Sequence, residues 1–289
     1  INEYKQQKIT EKFPGFHSLK MSPSGKFFID DFSNLKNPGI QQVIDSEGDR
    51  IVKIHESDNP LENYEIGETD LFHLKADDGT ILNCRLIKPD NFDLNKKYPV
   101  LIYVYNGPMV QLITNSWLAN TPMWMYYLAN QDFLIFTMDG RGSENRGKEF
   151  EQITFNKLGE IEMSDQILGY NYLKSLAYVD KEKIALHGWS YGGFMTTNLL
   201  LTYPDFFTCG VAGGPVTDWS FYEIMYTERY MDNPRQNEEG YQNTSLLNKV
   251  DKLSDPLLMI HGLEDNVVLL HHSLRFIQEC VNKNKKLNI

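Results

Sequence analysis

The chain has 289 residues, of which 41% are apolar and 23% are charged, as in an ordinary globular protein with a full core. Its net charge of -11 argues against a nucleic-acid partner and against electrostatic docking on an anionic membrane, because phosphate groups would repel this surface. The apolar runs are too short to span a bilayer. The three cysteines have unrelated spacings, so neither a disulfide framework nor a zinc module is expected.

The first part of the chain, residues 1–59, is polar and rich in turns. Strand-like segments at 16–21, 26–30 and 51–54 are separated by turn signals at 22–25 and 45–48. This spacing predicts a meander of short antiparallel strands, typical of one blade of a β-propeller. A blade cannot bury its faces alone, so we expect this segment to be the terminal part of a larger propeller domain. The alternative is a small β-extension native to this chain.

The second part, residues 60–289, begins with an acidic connector and a predicted β-hairpin between residues 71 and 87. Five apolar segments then predict buried strands, at 100–105, 133–138, 184–187, 209–212 and 257–260. Five helical periodicities accompany them, at 124–130, 164–176, 191–201, 219–231 and 271–281. This alternation predicts a doubly wound α/β domain with a parallel sheet and right-handed crossovers.

The strongest chemical signal is the segment GWSYG at 188–192. It follows a predicted strand and opens a predicted helix, which is the context of a G-x-S-x-G nucleophile elbow. Glycines flank the serine where a Cβ would collide, and the oxygen of Ser190 then stands clear above the sheet. The backbone N–H of Tyr191 can face a developing oxyanion. The alternative is a structural serine in a tight turn.

Asp265 follows the predicted strand 257–260, where ligand-facing residues belong in an open α/β sheet. It can orient a catalytic histidine, and Glu264 is a weaker rival for that role. His271 and His272 follow too closely in sequence, at the start of a predicted helix, to return to Ser190. Other histidines, at 187 and 261, are interpreted as structural. We therefore expect the catalytic histidine to lie beyond residue 289.

Tyr105 ends the first strand of the predicted parallel sheet, at the position that supplies the second oxyanion donor in such folds. Its phenol can donate one hydrogen bond, although a half-buried structural aromatic is an equal alternative. An aromatic stripe of Trp219, Tyr222 and Tyr226 recurs at helical spacing. Such a stripe is more often core than pocket, but Glu223 lies within it, and an unpaired carboxylate is awkward in a core. This favours an apolar site with one negative charge.

Several motifs resemble the prolyl oligopeptidase family of serine peptidases, in its dipeptidyl peptidase IV branch: YNGP at 105–108, DGRGS at 139–143, GWSYGG at 188–193, YTERY at 226–230 and HG at 261–262. Three further segments resemble the prolyl tripeptidyl peptidases: FMTTNL at 194–199, GVAGGPV at 210–216 and YEIMY at 222–226. The resemblance covers roughly residue 10 to the end. It implies an α/β-hydrolase domain at 60–289 after an eight-bladed propeller, whose last blade would be residues 1–59.

The resemblance also implies the roles of individual residues. Ser190 and Asp265 would be triad members, and the phenol of Tyr105 with the N–H of Tyr191 would form the oxyanion hole. The Tyr191 ring would help to line a proline pocket together with Val216, Trp219, Tyr222, Tyr226 and Val268. A glutamate at the position of Glu223 would help hold the free amino group of a tripeptide.

One segment departs from the family pattern. Dipeptidyl peptidase IV enzymes commonly have Asp-Asp-Asn-Val after the His-Gly turn, where this chain has Asp265-Asn266-Val267-Val268. The asparagine that holds the substrate carbonyl is thus shifted or lost, which weakens a dipeptidyl assignment.

The resulting expectation is a serine exopeptidase that releases X-X-Pro tripeptides from peptides, without a cofactor or metal. The alternatives are release of X-Pro dipeptides, a less specific esterase or acylaminoacyl peptidase, and an inactive relative that only binds partners. The resemblance implies export to the periplasm or cell envelope of a bacterium, and a homodimer is possible in this branch.

Overall fold

The computed structural model, which describes residues 7–289, contains two separate β-sheets. The first is a meander of four antiparallel strands in chain order: β1 (Phe16–Met21), β2 (Phe27–Asn34), β3 (Asn37–Asp45) and β4 (Arg50–Glu56). Backbone hydrogen bonds close its turns, from Gly25 to Ser22 and from Gly48 to Asp45. The antiparallel N-terminal segment predicted from the turn spacing is therefore confirmed.

The second sheet has seven strands in the order β11-β10-β9-β7-β8-β6-β5. A hairpin of β5 (Thr69–Lys75) and β6 (Ile81–Ile87) forms one edge, and β6 pairs antiparallel with β8. The remaining strands are parallel: β7 (Tyr98–Tyr103), β8 (Leu134–Asp139), β9 (Val179–Trp189), β10 (Cys209–Gly213) and β11 (Leu257–Ile260). The predicted parallel sheet with its preceding hairpin is present as one mixed sheet.

Helices connect and cover the parallel strands: α1 (Met123–Ala129), α2 (Lys148–Gln152), α3 (Glu160–Ser175), α4 (Tyr191–Thr202), α5 (Ile224–Met231), α6 (Glu238–Thr244) and α7 (His271–Asn282). Alternating residues of β7 and β8 enter two different apolar clusters, one containing α1 and the other containing α3 and α4. Every residue of β8 is buried, because helices cover both faces of this part of the sheet.

The chain order of the strands determines where a site can form. After β7 the chain first adds β8 on one side and then returns to add β9 on the other side. Connections that leave two neighbouring strands in opposite directions open a crevice at the carboxyl ends of those strands. Tyr105 follows β7 and Ser190 follows β9, so the topology brings these two residues to the same crevice.

Residues 219–231 differ from the single helix that their aromatic spacing predicts. They form a short 3₁₀ turn, Trp219–Phe221, and then α5, with extended backbone at Tyr222 and Glu223 between them. The side chain of Asp218 accepts a hydrogen bond from the backbone N–H of Ser220 and so caps the 3₁₀ turn separately. The break lets Tyr222 reach the crevice.

Within residues 7–289, no helix is both long enough and apolar enough to cross a lipid bilayer.

Candidate active site

Ser190 lies on a sharp turn between β9 and α4, with φ of 58° and ψ of -116°. Such a conformation is strained for a residue with a side chain, and it persists only where the surroundings fix it. A Cβ at Gly188 or Gly192 would lie 2.3–2.4 Å from the carbonyl oxygen of Val104. The glycines of the motif are therefore required by the close approach of the β7 end to the elbow, as the sequence predicts.

Two hydrogen-bond donors are available beside the Ser190 hydroxyl. Tyr105 is half-buried and lines the same pocket as Ser190. Burial raises the pKa of its phenol, opposed by a side-chain hydrogen bond with Ser190, so the phenol stays protonated at neutral pH and can donate. The N–H of Tyr191 opens α4, and the first N–H groups of a helix have no partner within it. The geometry thus offers one phenol and one amide to an oxyanion.

Asp265 lies in the loop after β11, and its side chain is 20% exposed. One carboxylate oxygen, Oδ1, accepts hydrogen bonds from the N–H groups of Val267 and Val268 at 2.9 and 3.0 Å. The other oxygen, Oδ2, lies 3.7 Å from Nε2 of His261. Among the described residues Oδ2 accepts no hydrogen bond, so it remains available to an imidazole N–H. Glu264, its sequence rival, is exposed.

The histidines near the sheet edge have structural contacts. His261 contacts Ser273 through Nδ1 and the carbonyl of Val268 through Nε2, and it thereby fixes the loop that carries Asp265. His187 bonds to the carbonyl of Val211 on the neighbouring strand. His271 and His272 begin α7, as the sequence predicts. No histidine in residues 7–289 forms a hydrogen bond with the Ser190 hydroxyl, and a histidine beyond residue 289 stays a prediction.

A small aromatic pocket opens beside Ser190. Its walls are formed by Tyr105, Tyr191, Val216, Trp219, Tyr222 and Tyr226. The rings of Trp219 and Tyr226 stack at 6.0 Å with an interplanar angle of 14°, and Tyr222 meets both rings edge-on. The cavity measures about 40 Å³. A cavity needs roughly 10–15 Å³ on the same scale to hold one water, so this cavity admits only a compact group.

Two of the predicted substrate-binding residues lie outside this pocket wall. Val268 is buried beneath the Asp265 loop, where its backbone contacts Asp265 and His261. Glu223 is exposed immediately before α5, and its charge raises the pKa of Tyr222 after the larger effect of burial. An anion is favoured at a helix N-terminus, and no ion pair to Glu223 forms within residues 7–289. Glu223 therefore presents a free carboxylate beside the pocket.

The structure adds two carboxylates that the sequence analysis did not select. Asp139 accepts the N–H groups of Leu112 and Ile113 at 3.0 and 2.9 Å, which anchors the loop after Tyr105, and burial raises its pKa to about 6. Glu162 accepts the phenol of Tyr191. A carboxylate three residues after Gly159 is a capping-box signal, but nothing in the sequence shows that its side chain reaches the elbow.

Neither carboxylate belongs to a metal site. Among residues 7–289, no group of three or more histidine, cysteine, aspartate or glutamate side chains could hold a metal ion.

The chain is similar in sequence to proteins of a known family. The pattern of the prolyl oligopeptidase family matches residues 120–289. Mouse dipeptidyl peptidase 8 is 37% identical over 273 residues, covering 89% of this chain and 30% of that protein. Human prolyl endopeptidase FAP is 32% identical over 255 residues, covering 85% of this chain and 33% of that protein. This chain thus spans about a third of the length of these curated relatives.

Two solved structures are also similar. A dipeptidyl aminopeptidase IV described as putative, from Bacteroides ovatus, superposes with a TM-score of 0.91 at 44% identity and covers 95% of this chain and 39% of that chain. Dipeptidyl peptidase 4 of Porphyromonas gingivalis superposes with a TM-score of 0.86 at 31% identity, with the same coverage. The predicted α/β-hydrolase fold is therefore confirmed, and the chain belongs to the prolyl oligopeptidase family.

Proposed function

We propose that the protein is a serine peptidase that cleaves after proline near the amino terminus of peptides. The observation that carries the proposal is that Ser190, on its strained elbow, shares one small aromatic pocket with the phenol of Tyr105. The Oγ of Ser190 attacks the carbonyl carbon of proline, and a histidine oriented by Asp265 takes its proton and then gives it to the leaving amine as the peptide bond breaks. The phenol of Tyr105 and the N–H of Tyr191 stabilise the oxyanion, and water then releases the acyl group.

The pocket supports proline as the residue on the acyl side of the cleaved bond. Its small volume suits the compact ring of proline. The walls are aromatic faces, on which a compact apolar ring packs well. An esterase without such a pocket would show no preference for proline. Measuring the preference for proline over alanine therefore separates a post-proline peptidase from an esterase.

The number of residues released depends on what holds the free amino group of the substrate. Glu223 supports tripeptide release, because its carboxylate is exposed beside the pocket on this chain itself. The names of the similar proteins favour the second candidate, release of X-Pro dipeptides. Both candidates use the same serine and the same pocket, and they differ only in the distance from the ammonium anchor to Ser190.

The decisive experiment measures kcat/KM of the full-length protein on three chromogenic anilides, Ala-Ala-Pro, Gly-Pro and Ala-Ala-Ala. The proposal predicts that Ala-Ala-Pro is cleaved fastest and that Ser190→Ala abolishes all cleavage. Faster cleavage of Gly-Pro than of Ala-Ala-Pro would replace the tripeptidyl reading by the dipeptidyl one. Equal rates with proline and alanine would contradict cleavage after proline altogether.

Three properties of the whole protein are also proposed. Apolar side chains exposed on β4, at Ile51, Val52 and Ile54, support the idea that the first sheet is one blade of a propeller. Export to a bacterial periplasm or cell envelope rests on the family resemblance alone, and cell fractionation tests it. A homodimer rests on the same resemblance, and sedimentation of the full-length protein tests it.

A further inference from the structure

Behind the aromatic pocket, the phenol of Tyr191 donates a hydrogen bond of 2.8 Å to Oε1 of Glu162. Glu162 is fully buried and Tyr191 is 2% exposed, so the bond is shielded from water. The second carboxylate oxygen, Oε2, accepts the backbone N–H of Gly159 at 3.0 Å. The carboxylate is thus held at both oxygens, and it fixes the outer end of the Tyr191 side chain.

The start of α3 is shaped to bring Glu162 to this place. Gly159 has φ of 83°, and a Cβ there would lie 2.7 Å from the ring of Phe194 and 2.9 Å from the amide of Asn198. Only glycine permits this turn to pack so closely on α4. The close contact places the first turn of α3 directly behind the residue that follows the nucleophile.

Tyr191 has two functions in the proposed site, one carried by its side chain and one by its backbone. Its ring forms a wall of the pocket, at 5.4 Å from Trp219 and 6.3 Å from Tyr105 between ring centroids. Its backbone N–H is one of the two oxyanion donors. Rotation of the ring would open the pocket, and a ring held at its outer end restrains the backbone of the same residue at the start of α4. Ring packing alone is non-directional, whereas a buried bond to a carboxylate fixes a direction.

We propose that Glu162 is a positioning residue that acts through Tyr191, holding its ring against the proline pocket and its N–H toward the oxyanion. This inference rests on the proposed function, because it assigns Glu162 to the same pocket and oxyanion site. Glu162 does not itself line the pocket, so it acts only through Tyr191.

The groups that face Glu162 make its charge state sensitive to pH near neutrality. Asp165 on α3 and the phenols of Tyr191 on α4 and Tyr226 on α5 are its titratable neighbours. Burial raises the pKa of Glu162 to about 7, against the opposing effect of its hydrogen bonds. Burial also raises the pKa of Tyr191, which therefore remains a donor. Above pH 7 the bond joins a phenol to a carboxylate, and below pH 7 it joins two neutral groups.

The test uses the full-length protein with Glu162→Gln, Tyr191→Phe, the double variant and a control, Tyr98→Phe. Tyr98 is also a fully buried tyrosine, but its hydroxyl accepts the N–H of Asp93, away from the crevice. In glutamine the amide NH₂ donates to the phenol, so the contact persists with reversed direction and without charge. Each site variant should lose about tenfold in kcat on a proline anilide at pH 8. The double variant should be no worse than either single variant.

A role in stability alone would give a different result. The proposal predicts that kcat of wild type and Glu162→Gln converge at pH 5.5, where wild-type Glu162 is protonated, and diverge above pH 7. It also predicts a lower preference for proline over alanine in both site variants, and wild-type kcat and preference in Tyr98→Phe. A pH-independent ratio of kcat, or an unchanged proline preference, would overturn it. A wild-type protein without post-proline activity would instead overturn the proposed function.

Discussion

The backbone N–H of Ser190 donates a hydrogen bond of 2.8 Å to the carbonyl of Gly213. This bond ties the nucleophile elbow to the end of the neighbouring strand β10. A Cβ added at Gly193 would lie 2.5 Å from the same carbonyl oxygen and 3.0 Å from Pro215. We therefore expect Gly193→Ala to push the elbow away from β10, with a loss of at least tenfold in kcat and a lower melting temperature.

A matched glycine provides the control for that prediction. At Gly262 an added Cβ would come no closer than 3.9 Å to any neighbour. Gly262→Ala should therefore leave the melting temperature close to that of wild type. Equal melting temperatures for the two variants would show that the close contact at Gly193 does not constrain the elbow.

The role of Asp265 can be separated from that of its neighbour Glu264. Asp265→Asn should lower kcat by about 10⁴, because the amide would favour the wrong histidine tautomer. Glu264→Gln removes an exposed carboxylate from the adjacent position and should leave kcat unchanged. Steady-state kinetics on a proline anilide measures both. Near-normal turnover in Asp265→Asn, with a large loss in Glu264→Gln, would transfer the acid role to Glu264.

Tyr105 is expected to act on the transition state and not on substrate binding. Tyr105→Phe removes one oxyanion donor and should lower kcat by about 10²–10³ with little change in KM. Tyr103→Phe is the control, because Tyr103 is the last residue of β7, just before Tyr105, but packs against Trp124 on the other face of the sheet. An unchanged kcat in Tyr105→Phe would leave Tyr105 a structural aromatic at a strand end.

Glu223 is expected to pair with the substrate ammonium. Losing one partner of a charge pair that bound substrate shields from water costs roughly 2–5 kcal/mol, so Glu223→Gln should lower kcat/KM on Ala-Ala-Pro anilide by about 30-fold or more. An N-terminally blocked peptide carries no ammonium and should be affected much less. Glu228→Gln changes another exposed glutamate of the same region, on α5, and should have no such selective effect. Equal losses on both peptides would indicate a distorted pocket.

The titration of His272 makes the free energy of unfolding depend on pH. Its Nδ1 accepts the backbone N–H of Thr217, and burial lowers its pKa from 6.5 to about 4. Between these values the unfolded chain binds a proton that the folded chain does not, so the free energy of unfolding falls as pH decreases from 6.5 to 4. The loss from this one group is about 3 kcal/mol.

Urea unfolding of wild type and His272→Gln at pH 7 and pH 5 measures this effect. The variant should lose less stability than wild type between the two pH values, by about 2 kcal/mol. His271→Gln alters the exposed neighbour at the start of α7 and should behave as wild type. Parallel losses in wild type and His272→Gln would show that His272 does not carry this sensitivity.

Much of the fold was predictable from local patterns. Strand β11 lies at the predicted 257–260, and α4 begins at the predicted residue 191. These elements have strong apolar periodicity and glycine signals at their ends, so short-range sequence specifies them. The short helices α2 and α6 carry few apolar residues, and no periodicity predicts them. Likewise, the break at Tyr222 depends on the cap at Asp218, which a hydrophobic pattern does not register.

The sequence by itself determined the elbow, because G-x-S-x-G between a strand and a helix is a local steric requirement that neighbouring residues express fully. The partners of Ser190 were decided by tertiary structure. The order in which β8 and β9 are added beside β7 brings Tyr105 to the crevice, although it lies far earlier in the chain than Ser190. Glu162 reaches Tyr191 only because α3 packs on α4 at Gly159. Contacts between residues distant in sequence are set by the packing of whole elements, and no local pattern encodes them.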